Sequence, residues 1–220
     1  MSFIEELFND NKKMGRVFIL GALLSILLAI LGIIVAVFVD VSIVRVIVAA
    51  IGTIISAYLM YQFGIELRDN STEKVPVPAI TNIIGAFIDH SNPLTRVSIF
   101  AGIVKLIGIN LIISGIFTAV ALAAAGQGAS GIATAVFSII IGLIFLWGSR
   151  EISKGGDHGF MWLLLMILFV IAVLISIISF FTGLLALDIA SAALALIMFL
   201  LSGYALYLCN SREVRAQLKA

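Results

Sequence analysis

The amino-acid sequence predicts an all-α polytopic membrane protein with six transmembrane helices, arranged as three tandem helical hairpins. Three observations lead to this fold class. Hydrophobic residues make up 62% of the 220-residue chain and charged residues 11%, whereas soluble domains average about 45–50% and about 25%. The apolar residues form six long runs, and most basic residues lie between the runs. Because so few charges cannot cover a water-facing surface, most of the surface must face lipid.

Each of the six runs approaches the about 20 apolar residues that a helix needs to cross a bilayer. The spans are predicted at about residues 17–39, 42–64, 97–124, 132–148, 160–184 and 189–209. Two of the turns are marked by the glycine-rich residues 126–131 and by residues 183–188, which end at Asp188. The first run is longer than the about 7–15 apolar residues of a signal peptide, so it is predicted to be a retained span.

Three segments lie outside the predicted spans. Residues 1–16 are amphipathic and are predicted to lie on the cytoplasmic membrane surface, and residues 210–220 are predicted to form a cytoplasmic tail. The connection over residues 66–95 is long for a hairpin loop. Its apolar part, residues 77–88, is too short to span, so it is predicted to lie in the membrane interface, with re-entry into a cavity as the alternative.

Lysine and arginine are distributed unevenly about the predicted spans. Eleven of the 13 lie on one side, Arg45 alone lies on the other, and Lys105 lies inside the third span. Because cytoplasmic loops carry an excess of basic residues, both termini and the long connection are predicted to be cytoplasmic. We expect a multi-pass protein of a prokaryotic cell membrane. The eleven residues are Lys12, Lys13, Arg16, Arg68, Lys74, Arg96, Arg150, Lys154, Arg212, Arg215 and Lys219.

The cytoplasmic ends of the three even-numbered spans resemble one another. Each has an aromatic residue, then small or polar residues, then an acid near an arginine, at residues 61–68, 147–152 and 207–214. This similarity indicates a weak internal repeat of one hairpin. The aromatic side chains at these ends are also predicted to form an interfacial belt. Its members are Tyr58, Tyr61, Trp147, Trp162, Tyr204 and Tyr207.

Small residues recur four positions apart in every predicted span. Such pairs let helix backbones approach closely. In lipid the hydrophobic effect does not drive helices together, so this close van der Waals packing stabilises their association. They therefore predict close packing within the bundle. The pairs are Gly21 with Ser25, Gly52 with Ser56, Ser98 with Gly102, Ser138 with Gly142, Ala172 with Ser176, and Ser191 with Ala195.

Three tandem hairpins of this kind resemble the small bacterial membrane proteins of the acid-resistance HdeD type. The resemblance is carried by residues 101–108 (AGIVKLIG) and 50–56 (AIGTIIS). It covers the helical region without an invariant motif, and the proline usual at the hairpin turns of that family is missing. The chain is equally similar to uncharacterised archaeal six-helix families. Both resemblances imply a six-helix prokaryotic membrane protein, and neither implies a reaction.

Lys105 is the most informative single residue because it places a charge inside a predicted span. A charge at this depth costs about 2.5–3.5 kcal/mol on insertion scales. The lysine must either line a water-filled pathway or anion site, or extend its side chain to the cytoplasmic headgroups. The sequence favours a lysine that extends to the headgroups. Asn110 and Ser114 follow on the same helix and complete the candidate pathway or anion site. No opposite charge is expected beside Lys105 within the spans.

Two Asp-His pairs form a second candidate site in the cytoplasmic loops. Asp89 and His90 precede the third span, and Asp157 and His158 precede the fifth. Brought together, they offer the N and O ligands that a divalent metal ion prefers. Solvated loop residues are the favoured interpretation, so no metal ion or cofactor is predicted.

The chain contains no P-loop, no HExxH motif and no Ser-His-Asp arrangement, so it is not predicted to be an enzyme. The leading hypothesis is a non-enzymatic structural or accessory membrane subunit. The alternative is a channel or transporter for a small solute or ion, with Lys105 in the pathway; an enzyme that acts on lipids is a third possibility. The expected partners are the lipid bilayer and either a second copy or another membrane protein. A net charge of +1 creates no field that attracts nucleic acid.

Overall fold

The computed structural model describes residues 3–38, 42–69, 85–88, 94–124, 126–186 and 188–218. Within these ranges the chain forms helices and no strand. The helices are α1 (Phe3–Asn9), α2 (Asn11–Phe38), α3 (Ile43–Asp69), α4 (Arg96–Ala124), α5 (Gly128–Lys154), α6 (Gly159–Leu185), α7 (Ile189–Cys209) and α8 (Arg212–Leu218). Six of them, α2 to α7, are long and apolar enough to cross a membrane. The predicted fold class, an all-α polytopic membrane protein with six spanning helices, is confirmed.

Several spanning helices are longer than the sequence predicted. Helix α2 begins at Asn11, α3 continues to Asp69, and α5 continues to Lys154. A helix of 27 residues is about 40 Å long, whereas the hydrocarbon core is about 30 Å thick. The additional turns exceed the length that the hydrocarbon core requires, and they carry charged residues such as Lys12, Arg68 and Arg150.

The spanning helices pack as three antiparallel pairs, α2 with α3, α4 with α5, and α6 with α7. Glycines bring the backbones together in the first two pairs. A Cβ atom on Gly15 would lie 2.7 Å from the carbonyl oxygen of Gly64, and one on Gly108 would lie 2.8 Å from that of Gly142. Gly126, at φ 77°, makes the tight turn between α4 and α5, a conformation that favours glycine.

The helices α1 and α8 both cover the same end of the bundle, which we call the terminal end. Phe8 of α1 packs against Tyr204 near the end of α7, with ring centroids 5.5 Å apart. Val214 and Leu218 of α8 are fully buried, and His158 donates its backbone N–H to the carbonyl of Leu218. Within the predicted cytoplasmic tail, residues 212–218 therefore form a helix that packs on the bundle.

The large side chains of the core are concentrated at the terminal end. Phe18 packs on Phe63 with ring centroids 4.7 Å apart, and Phe169 packs on both Phe100 and Phe145. Toward the other end, the buried residues are small, and many large apolar residues are exposed on the surface that faces lipid. The small buried residues include Ala36, Ala50, Ala121, Ser176, Ala192 and Ala195.

One member of the predicted aromatic belt does not lie at the surface. Tyr204 is completely buried beneath α1, because the short N-terminal helix covers this part of α7. Trp147, by contrast, is 54% exposed. Trp162 is partly buried and donates its ring N–H to the carbonyl oxygen of Cys209.

Candidate functional site

The C-terminal part of α3 carries a buried carboxylate, Glu66. The helix continues past Gly64, and Glu66 is completely inaccessible to solvent. Its Oε2 atom accepts hydrogen bonds from the backbone N–H groups of Phe87 (2.9 Å) and Ile88 (3.0 Å). Its Oε1 atom accepts one from Nε2 of Gln62, at 3.1 Å. Hydrogen bonds to an ionised carboxylate are roughly twice as strong as neutral ones, so Glu66 holds residues 87 and 88 against α3.

Lys105 of α4 holds the same short segment from the opposite side. Its Nζ atom donates a hydrogen bond to the carbonyl oxygen of Ala86, at 2.8 Å. The ammonium also lies 5.7 Å from the centroid of the Phe87 ring and is attracted electrostatically by Glu66. We call Glu66, Lys105 and residues 85–88 the charge clamp.

Glycine residues make room for the charge clamp. A Cβ atom on Gly102 of α4 would lie 2.9 Å from the carbonyl oxygen of Phe87, so only glycine lets the segment approach this closely. Gly85 has φ 70°, a backbone conformation that other residues rarely adopt. Phe87 and Ile88 are buried. Residues 87 and 88 of the long connection therefore pack between α3 and α4, whereas residues 70–84 and 89–93 lie outside the described residues.

From the sequence, Glu66 is predicted to lie in a cytoplasmic loop, and no opposite charge is expected beside Lys105. Both expectations are wrong, because α3 does not end at Gly64. A usable signal was present in the sequence: Leu59, Gln62, Phe63 and Glu66 follow the helical period of three and four residues. All four are completely buried.

A groove between α3, α4 and α7 contains two of the predicted site residues. It has a volume of about 450 Å³ and is lined by Asn110 and Ser114 together with Thr53, Ser56 and Thr118. Lys105 does not line it. The structure therefore brings Asn110 and Ser114 together and places Lys105 apart from them, in the charge clamp.

Two hydroxyl groups of this groove have their protons engaged within their own helices. The hydroxyls of Thr53 and Ser114 donate to the carbonyl oxygens of Ala49 and Leu111 in their own helices. Their oxygen atoms keep lone pairs that can accept further bonds. The Oδ1 atom of Asn110 is buried without a hydrogen-bond partner among the described residues. A buried, unpaired acceptor is uncommon, and an ordered water is one ordinary reason for it.

The second candidate site, formed by two Asp-His pairs, is described only in part. Asp89 and His90 lie outside the described residues. Asp157 and His158 lie between α5 and α6, where Nε2 of His158 is 3.2 Å from Oε2 of Glu151. Glu151 was not among the predicted partners of this histidine. The described residues contain no group of three or more His, Cys, Asp or Glu side chains that could hold a metal ion.

The fold and these sites define a multi-pass α-helical membrane protein in which a buried acid and a partly buried lysine hold a loop segment. Comparison of the chain with protein-family models, with curated proteins and with solved structures gave no match.

Proposed function

We propose that the chain is a non-enzymatic structural or accessory subunit of a prokaryotic cell membrane. The observation that supports this proposal is the position of the Lys105 amine. A charge that serves a transport pathway faces water or a solute, whereas a charge that serves the fold is compensated by protein groups. Lys105 is compensated by the Ala86 carbonyl and by Glu66. The most unusual charge in the spans thus stabilises a packed loop.

A channel or carrier for a small neutral solute or ion is the second candidate function. It is supported by the groove that contains Asn110, Ser114 and Thr53. In this version the pathway uses hydroxyl and amide oxygens, and Lys105 lies outside it. An enzyme that acts on lipids is the third possibility. Of its candidate residues, His158 contacts Glu151 at the terminal end, and Asp89 and His90 lie outside the described residues.

Reconstituted liposomes distinguish the two functions. We expect ion and small-solute flux through the purified chain to equal that of protein-free liposomes, because a subunit that stabilises an assembly needs no pathway. Asn110→Ala and Lys105→Met are the matched variants, one in the groove and one in the charge clamp. Flux that falls with Asn110→Ala but persists with Lys105→Met would overturn the accessory-subunit proposal in favour of the carrier.

We also propose that the terminal end faces the cytoplasm, as the excess of basic residues indicates. Single introduced cysteines test this orientation. The background is Cys209→Ala, which removes the one native cysteine of the chain. We expect a membrane-impermeant maleimide to label Gln127→Cys in intact cells, because the exposed α4–α5 turn lies at the end opposite α1 and α8. Asn210→Cys should be labelled only after permeabilisation. The opposite pattern would reverse the proposed orientation.

A further inference from the structure

A second groove lies at the terminal end, between the start of α4, the end of α7 and α8. Its volume is about 700 Å³, and we call it the terminal groove. Its lining combines two arginines, Arg96 and Arg212, with Tyr207 and with the apolar surface of Leu206 and Gly203. This arrangement is complementary to an anionic phospholipid. The arginines can bind the phosphate, and the apolar wall can contact an acyl chain.

Arg96 is held in place on one wall of the terminal groove. Its guanidinium donates to Oδ1 of Asn9, at 2.9 Å, and lies 5.6 Å from the centroid of the Tyr207 ring. The Tyr207 hydroxyl donates to the same Asn9 oxygen, at 2.7 Å. A guanidinium carries five N–H donors, so this arrangement orients Arg96 and leaves donors for an anion.

Arg212 supplies the second charge. It is exposed, and its side chain makes no hydrogen bond or ion pair with the other residues that the structure describes. The one carboxylate in the lining, Glu213, accepts a hydrogen bond from the backbone N–H of Arg96, at 3.2 Å. Two arginines therefore face one acid that already has a backbone donor, and guanidinium groups bind phosphate oxygens in a bidentate geometry.

The apolar part of the groove indicates a lipid and not a soluble anion. Gly203 lies six residues before Cys209, the last residue of α7, which is about 9 Å along the helix. The missing side chain of Gly203 leaves the wall open there, and a Cβ atom would touch only the Phe8 ring, at 3.5 Å and beyond. An acyl chain can bury its apolar surface against this deeper part of the wall, whereas a soluble phosphate ion gains nothing from apolar contact.

We infer that the terminal groove binds one anionic phospholipid, with its phosphate between Arg96 and Arg212 and an acyl chain along Leu206 and Gly203. A second contact beside the groove fits the same headgroup layer: the Arg215 guanidinium lies 5.2 Å from the Trp162 ring centroid. The cytoplasmic leaflet holds anionic lipids that attract basic residues near its surface. This inference rests on the proposed cytoplasmic orientation of the terminal end, but it holds whether the chain is an accessory subunit or a carrier.

Native mass spectrometry of the purified full chain in detergent tests the lipid site. The probes are phosphatidylglycerol, zwitterionic phosphatidylcholine and inorganic phosphate. We expect phosphatidylglycerol to form a one-to-one complex that Arg212→Gln weakens about fivefold, the contribution of one basic residue near an anionic surface. Arg150→Gln is the matched control, because Arg150 is an exposed arginine at the same end that does not line the groove.

A second variant tests the apolar part of the site without changing charge. Gly203→Leu fills the groove with a side chain whose Cβ atom fits beside Phe8, and it should weaken phosphatidylglycerol binding while the chain remains folded. Equal effects of Arg212→Gln and Arg150→Gln would overturn the inference. So would equal binding of the two phospholipids, or displacement of phosphatidylglycerol by millimolar inorganic phosphate, which would make the site one for a free anion.

Discussion

Replacement of Glu66 by glutamine is expected to lower the free energy of unfolding by about 1–3 kcal/mol, the cost of depriving buried N–H groups of their hydrogen-bond acceptor. The variant keeps the shape of the side chain but removes its charge. Lys105 then loses its attraction to Glu66, and the N–H groups of Phe87 and Ile88 lose a charged acceptor. Unfolding in bicelles, followed by tryptophan fluorescence, measures the change.

The control for this prediction is another acid-to-amide substitution at the surface. Glu6 forms an ion pair with Lys13, and both side chains are exposed, so Glu6→Gln should cost less than about 1 kcal/mol. The double variant Glu66→Gln with Lys105→Met should be more stable than the two single losses predict, because it leaves no unpaired charge. If Glu66→Gln behaves like Glu6→Gln, Glu66 carries no charge in the folded protein and the charge clamp is wrong.

The second large effect is expected at Gly142, where α5 crosses α4. A Cβ atom there would lie 2.7 Å from the carbonyl oxygen of Gly108 and 2.7 Å from the Cγ1 atom of Ile112. Backbone atoms cannot move aside singly, so the two helices must separate. Gly142→Ala is therefore expected to destabilise the protein by about 1–3 kcal/mol, the usual cost of overpacking. Thermal unfolding in detergent shows this as a lower midpoint temperature.

Gly32→Ala is the matched control, since it places the same methyl group in a spanning helix at a site with no neighbour within 4 Å. We expect its stability to equal or slightly exceed that of the parent chain, because alanine forms helices more readily than glycine. Equal midpoints for the two variants would show that α4 and α5 do not pack closely at Gly142.

The charge clamp gives the long connection a structural role at its described part. Residues 85–88 are bound by α3 through Glu66 and by α4 through Lys105. These two helices belong to different hairpins, so the segment joins the first hairpin to the second. The two helices also pack directly against each other, so residues 85–88 add a second connection between the two hairpins.

Much of the architecture could be predicted because it depends on single-residue properties. The runs of apolar residues determine where helices cross lipid, and breaks in those runs locate the two short turns, although residues 128–131 of the first predicted turn belong to α5. Close packing could also be predicted, because small residues four positions apart are visible in the sequence. Two of these residues, Gly102 and Gly142, do lie against a neighbouring backbone. The partners of those glycines depend on how the hairpins associate, which no single run of sequence specifies.

By itself, the sequence determined that this is a six-span helical membrane protein and that its basic residues gather at one end, because hydropathy and charge act residue by residue. The tertiary structure alone decided what Lys105 does. The partners of its amine come from residue 86 and from Glu66, 19 and 39 positions away. A buried charge is stable only where distant groups converge on it, so its role becomes visible only when α3, α4 and residues 85–88 are in place.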